Sequence, residues 1–259
     1  MAITVAEKRQ AFIDLHRSGC FTLPNPWDLG SLKRLEKLGF SALASTSAGF
    51  AWSLGRTDYK VTLEEKLAHL RQLCAATDLP INADFENGFA HEPEAVARNV
   101  NLAADTGIAG VSVEDWEGTR IYDQAHAVAR LRAARAALND HAPDVLLVGR
   151  CELMLHGETE IAPVIERLQA YAAAGADCLY APGVRKPEHI KAIVSAVAPK
   201  PVNVLVMEPE MTVPSLAALG VRRVSIGGRL AAAAWAGFDA AAKELADQGT
   251  LPATLFKRA

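Results

Sequence analysis

The sequence is short of positive charge, of paired cysteines and of long apolar runs, and each shortage closes off a class of function. Lysine and arginine number 27 against 30 acidic residues, a formal net charge of −3, and the sequence pI is about 6.2. A nucleic-acid or anionic-membrane surface needs a basic patch, so neither partner is expected. Cys20, Cys74, Cys151 and Cys178 are scattered without CxxC spacing, which points to reduced thiols and away from structural zinc. The 7 histidines include no pair at i, i+4. No stretch has the uninterrupted apolar length of a membrane span, and Met1–Arg9 lacks a signal peptide's apolar core. A cytoplasmic protein is expected. No Gly-x-Gly-x-x-Gly turn follows an early strand, which weakens an open dinucleotide-binding sheet. No Pro/Ser/Gly-rich linker divides the chain, so residues 1–259 are expected to form one domain.

What is present is a repeated unit. Hydrophobic residues make up 50% of the chain, ample for a large core. Thr4-x-x-Glu7 and Thr62-x-x-Glu65 read as capping boxes, the first opening a helix over 5–18. Leu29, Leu32, Leu35 and Leu38 are expected to step along one helix face. Pro93 suits a first helical turn. Gly39, Gly107, Gly175 and Gly220 each stop a helix just before an apolar strand start. Strands are expected at 21–23, 41–46, 80–85, 110–114, 145–150, 177–181, 201–206 and 221–226. Most are near-continuous apolar runs, as in parallel strands covered on both sides. Eight strands alternating with helices predict a (β/α)8 barrel, a fold that commonly runs to about 250 residues. The last helix, after Gly227-Gly228, carries Trp235, Phe238 and Leu245, and an apolar Leu251–Phe256 tail follows. It either packs on its own barrel or meets a second subunit.

In such a barrel the chemistry lies at the C-terminal strand ends. Strand 2 ends in Ser45-Thr46-Ser47, strand 3 in Asp84 and Glu86, strand 4 in Glu114-Asp115, strand 5 in Arg150-Cys151-Glu152, and strand 7 in Asn203 and Glu208. Residues i and i+2 of a strand share a face, so Asp84 and Glu86 are expected to converge and to need a positive group between them. A hard divalent cation is the usual answer. A solvated strand end is the plain alternative, and the recurrence of acids at Glu114 favours the metal. Arg150 suits a two-pronged grip on a substrate carboxylate, with Asn203 nearby, or it neutralises the acids structurally. Cys151 alternates to the opposite face and is expected to pack.

These residues resemble the isocitrate lyase/phosphoenolpyruvate mutase superfamily. Its strand 3 pattern, D-x-[DE]-x-G-[FY]-G, stands here as Asp84-Phe85-Glu86-Asn87-Gly88-Phe89-Ala90. Its strand 4 Glu-Asp is Glu114-Asp115, its strand 5 motif is Gly149-Arg150-Cys151-Glu152, and its glycine and aspartate after strand 2 are Gly55 and Asp58. The resemblance implies Mg²⁺ (or Mn²⁺) held by Asp84, Glu86 and Glu114, a substrate oxyanion on the N–H groups of Thr46 and Ser47, and Arg150 on the carboxylate. It places Asp58 beside the reacting bond, with Asp58, Arg150 and Glu114 as the catalytic set. It implies a lyase-type reaction on a C–C bond next to a 2-oxo or 2-hydroxy carboxylate, through an enolate. The alternatives are a C–P bond enzyme or an inactive dicarboxylate-binding barrel. It also implies a homo-oligomer, a dimer of dimers exchanging C-terminal helices. The segment Trp116–Asp123 is short and lacks the lyase branch's Lys-[LysArg]-Cys-Gly-His loop and its acid/base cysteine.

Overall fold

The computed structural model describes residues 3–256. The elements run α1 (Val5–Leu15), β1 (Phe21–Leu23), α2 (Leu29–Lys37), β2 (Leu43–Ala44), α3 (Ser47–Ser53), α4 (Leu63–Ala76), β3 (Ile81–Asp84), α5 (Pro93–Ala104), β4 (Gly110–Glu114), α6 (Gln124–His141), β5 (Leu146–Arg150), α7 (Ile161–Ala173), β6 (Cys178–Tyr180), α8 (Pro187–Val197), β7 (Val202–Leu205), α9 (Val213–Ala218), β8 (Arg223–Ser225) and α10 (Arg229–Gln248). The strands form one 8-stranded sheet in the order β1-β8-β7-β6-β5-β4-β3-β2, with parallel pairing from β2 round to β1. This is the expected (β/α)8 barrel, nearly closed.

The seam has a local cause. Pro24 and Pro26 have no N–H to donate, so β1 cannot extend a ladder towards β2. Among the described residues one backbone–backbone bond crosses there, from Ala44 N–H to the Pro24 carbonyl at 3.0 Å. Asn25, between the prolines, pins the mouth shut instead. Its Nδ2 donates to the Ser45 carbonyl at 3.1 Å, and its Oδ1 accepts from the N–H groups of Ile226 and Gly227 at 3.1 and 2.9 Å.

The helix signals hold at both ends. Thr4 and Thr62 form reciprocal capping boxes with Glu7 and Glu65. Gly39, Gly107, Gly175 and Gly220 have φ of 81°, 91°, 102° and 88°, the left-handed conformation that ends a helix and favours glycine. Two expectations are corrected. The first helix ends at Leu15, not at 18. Of the four leucines at 29, 32, 35 and 38, only Leu32 and Leu35 are buried, while Leu38 is 73% exposed. A step of three residues falls about 60° short of a full turn, so three such steps drift off any one face.

The main apolar core lies between the strands and their outer helices, from Leu32 and Leu43 round to Val224. A smaller cluster of Phe12, Leu23, Ala42, Ala44 and Ala109 plugs the barrel's N-terminal end. There α1 is tied down by Arg9, whose Nε donates to the Ile108 carbonyl at 3.0 Å. Above this plug the barrel interior turns polar, and the site begins.

Candidate active site

A cavity of about 170 Å³ runs from the C-terminal mouth down into the barrel. Its wall includes Thr46, Ser47, Asp58, Asp84, Arg150 and Asn203, so six of the residues singled out in the sequence meet on one surface. Glu86 and Glu114 stand behind it. Strand ends deliver most of these groups, while Asp58 arrives on the loop between α3 and α4.

Arg150 is the hub. Its guanidinium meets Asp84 Oδ1 at 3.1 Å and Glu114 Oε2 at 3.0 Å, its Nε donates to Glu152, and the ring of Tyr180 lies 5.3 Å away. Thus the positive group found between the acids is an arginine. Burial works to lower its pKa, but Glu114, Glu152 and Asp84 hold it well above the ordinary value. Asp84 also accepts the Ser47 N–H at 2.8 Å, and its own N–H donates to Ser45 Oγ at 3.0 Å. Burial alone would raise Asp84, yet Arg150 and Lys66 outweigh it and the carboxyl sits below its usual range.

The remaining acids titrate the other way. Burial, then the Asp84 charge, raises Asp58. Burial raises Glu114 well above its usual value against the pull of Arg150. Burial pushes Glu86 up to about 8, with Lys66 opposing and Asp84 and Asp58 adding to the shift. The strand-alternation argument for Glu86 is corrected. The strand β3 stops at Asp84, and Glu86 has a φ of 46°, so its direction comes from a left-handed turn rather than from a pleat. Its carboxyl still joins the cluster.

Whether this set suits a divalent cation can be judged on donors and charge. Asp58, Asp84, Glu86, Glu114 and Glu152 share two cations, Arg150 and Lys66. Glu86 Oε1 is buried without a hydrogen-bond partner, which is costly for an ionised oxygen. Hard carboxylate oxygens with surplus negative charge suit Mg²⁺. Among the described residues no three His, Cys, Asp or Glu side chains stand together as ready ligands, and Arg150 lies between Asp84 and Glu114.

Sequence reasoning missed Lys66 and Tyr59. Lys66 is 1% exposed, and its Nζ lies 3.3 Å from Ser45 Oγ. Its position could have been read from the helix, since 66, 70 and 73 share the inward face of α4 with Leu70 and Leu73. Tyr59 donates to Glu114 from a backbone with a φ of 62°, an uncommon conformation for a bulky residue. No local sequence signal marks it.

Other candidates lie elsewhere. Asp115 turns outward, accepting from Tyr171 Oη at 2.5 Å and Arg167 at 3.1 Å. Glu208 is half-buried and pairs with Arg185 at 2.8 Å, away from the cavity. Cys151 is fully buried in the outer core, as expected of a packing residue. The segment after β4 is a tight excursion closed by a Trp116–Ile121 bridge, with Trp116 stacked on His156 at 3.5 Å.

Comparison with known proteins gives a family and a fold. The family described as phosphoenolpyruvate phosphomutase matches residues 12–246. The oxaloacetate decarboxylase of Paraburkholderia xenovorans is 32% identical over 71% of this chain and 63% of its own length. A crystal structure from Burkholderia cenocepacia J2315, provisionally assigned as a lyase/mutase, is 43% identical, with a TM-score of 0.92 over 95% of this chain and 91% of that one. An oxaloacetate acetylhydrolase solved with its product oxalate is 26% identical, with a TM-score of 0.87 over 95% of this chain and 89% of that one. Among the described residues, no helix is long and apolar enough to cross a membrane.

Proposed function

Because the chain belongs to the phosphoenolpyruvate phosphomutase family, within the isocitrate lyase/phosphoenolpyruvate mutase superfamily, we propose that it is a divalent-cation-dependent lyase acting on a C–C bond next to a 2-oxo or 2-hydroxy carboxylate. One observation carries the reading: Arg150, Asp58 and Asp84 converge on a single small cavity. A guanidinium there binds a carboxylate through two parallel bonds. An acid beside it whose pKa is raised by burial is suited to hold or release a proton.

Each group has a task in this reading. Arg150 grips the substrate carboxylate, and Tyr180 backs its guanidinium. The Thr46 N–H, at the start of α3, faces charge developing on the enolate oxygen, while the Ser47 N–H holds Asp84. Asp58 moves the proton that the absent loop cysteine would otherwise handle. Tyr59 holds the Glu114 carboxyl in place. Asp84, Glu86 and Glu114 are the residues that would hold Mg²⁺ or Mn²⁺, which supplies a Lewis acid for the enolate charge.

Turnover of oxaloacetate, substituted malates and phosphonopyruvate, each with and without Mg²⁺, tests this. The expected result is Mg²⁺-dependent release of a 2-oxo acid from a C–C substrate. Asp58→Asn should lower kcat by about 10²-fold or more while oxalate affinity stays within about threefold, since oxalate binding needs no proton transfer. Preferential turnover of phosphonopyruvate would make the chain a C–P bond enzyme instead. Tight oxalate binding with no turnover of any substrate would make it a binding barrel.

A further inference from the structure

Deeper in the same cavity lies a cation that none of these tasks uses. Arg223, on β8, is 2% exposed and lines the cavity with Asn82, Ser112 and Asn203. It sits one pleat below Ser225, on the floor. Its Nε donates to Asn203 Oδ1 at 2.9 Å. One terminal nitrogen reaches Asn82 Oδ1 at 3.3 Å and His16 Nε2 at 3.4 Å. All three partners are neutral. Burial and the guanidinium itself hold the His16 ring at about 3, so it is uncharged at neutral pH. Its Nδ1 bonds the Phe12 carbonyl at 2.7 Å, which leaves Nε2 as an acceptor.

Arg150 and Arg167 are compensated by carboxylates, and Arg130, outside this cavity, is met by carbonyls and a ring. Arg150 meets Asp84 and Glu114, and Arg167 meets Asp115. Arg130 lies 4.1 Å from the Tyr122 ring, donates to the Glu114 and Ala90 carbonyls and feels the charges of Asp115 and Glu114. Arg223 has no carboxylate partner among the described residues. An ion buried without a counter-charge is costly, and here it borders open space large enough for a small molecule.

We propose that Arg223 receives an anionic end of the substrate, so that the cavity takes a small dicarboxylate lengthwise, with one carboxylate at Arg150 and the other at Arg223. This rests on the reading that the cavity binds a carboxylate. It adds a second anchor, at the opposite end, that discriminates two-ended anions from one-ended ones. The neutral ring of amides around Arg223 fits that task, because Asn82 and Asn203 orient the guanidinium without cancelling its charge.

Calorimetric titration of the full chain with malonate and with pyruvate, in chloride-free buffer with Mg²⁺, tests the proposal. Arg223→Met should weaken malonate at least tenfold and pyruvate less than threefold. The unliganded variant should melt at the same temperature or higher, because an uncompensated charge has been removed. Equal weakening of both ligands, or none, overturns the proposal. If Arg223→Met does not fold, Arg223→Lys keeps the charge and loses the fork. Its malonate-over-pyruvate preference should fall at least threefold, and an unchanged preference overturns the proposal. A wild-type preference erased by chloride at constant ionic strength assigns the floor to an inorganic anion and also overturns it. If the wild-type chain binds neither carboxylate, the functional reading itself fails along with the inference.

Discussion

Glu114 and Asp115 are adjacent in sequence and opposite in role. Glu114 faces Arg150 and Tyr59 at the mouth, whereas Asp115 locks Arg167, Tyr171 and the Glu152 N–H outside the barrel. Asp115→Ala should therefore destabilise the fold by about 3–5 kcal/mol, the cost of leaving a buried ion unpaired. Denaturant unfolding would measure the loss, and oxalate affinity in the folded fraction should stay within about threefold. Glu86 makes a second prediction. Its carboxyl is held protonated up to about 8, so a cation bound below that pH must displace a proton. Mg²⁺ affinity should then rise with pH between 6 and 8, by at most about tenfold per unit, and level off above. Calorimetry in buffers of different ionisation enthalpy would detect the released proton. In Glu86→Gln the slope should flatten, and an unaltered slope would remove Glu86 from the ion's surroundings. The sequence made the acids legible because they sit at strand ends. It hid Tyr59, whose role depends on a left-handed backbone that no neighbouring residue announces.

Among the elements, the strands and the helix stops were readable and the last helix was not. Apolar runs and terminal glycines are local, so all eight strands lie inside the expected spans. What α10 packs against is not local information. Of its 20 residues only Ala231 is buried, and Phe238 is 63% exposed, with Trp235 and Leu245 also open to solvent. A helix that merely closed its own barrel would bury this face. We therefore propose that α10 is covered by another copy of the chain in a homo-oligomer, with burial contributing about 1.5–3 kcal/mol per large side chain. Light scattering should show a multimer at micromolar concentration, and Trp235→Asp with Phe238→Asp should shift it to a smaller species. A wild-type chain that stays monomeric would contradict this.

At the scale of the molecule, the barrel has an apolar outer shell, an apolar plug under α1 and a polar interior above it. Alternation in the strands encodes that arrangement. Asn82 and Asp84, Ser112 and Glu114, Arg150, Asn203, and Arg223 and Ser225 are inward polar residues, beside a small inward apolar cluster of Val148 and Cys178, while Ala83, Val111, Val113 and Val224 face the helices. The sequence reading took the strand ends as the site and overlooked the pleat beneath them, where Asn82 and Arg223 form the floor. Inside an apolar run a single polar side chain carries no local signal of which face it takes. The central claim is that this polar interior binds a carboxylate together with a divalent cation centred on Asp84. Calorimetric titration of oxalate into the wild-type chain and Asp84→Ala, each with and without Mg²⁺, tests it most directly. The account predicts that Mg²⁺ strengthens oxalate binding at least tenfold in the wild type and has no effect in a folded Asp84→Ala. Equal Mg²⁺ enhancement in both proteins, or none in the wild type, would contradict it.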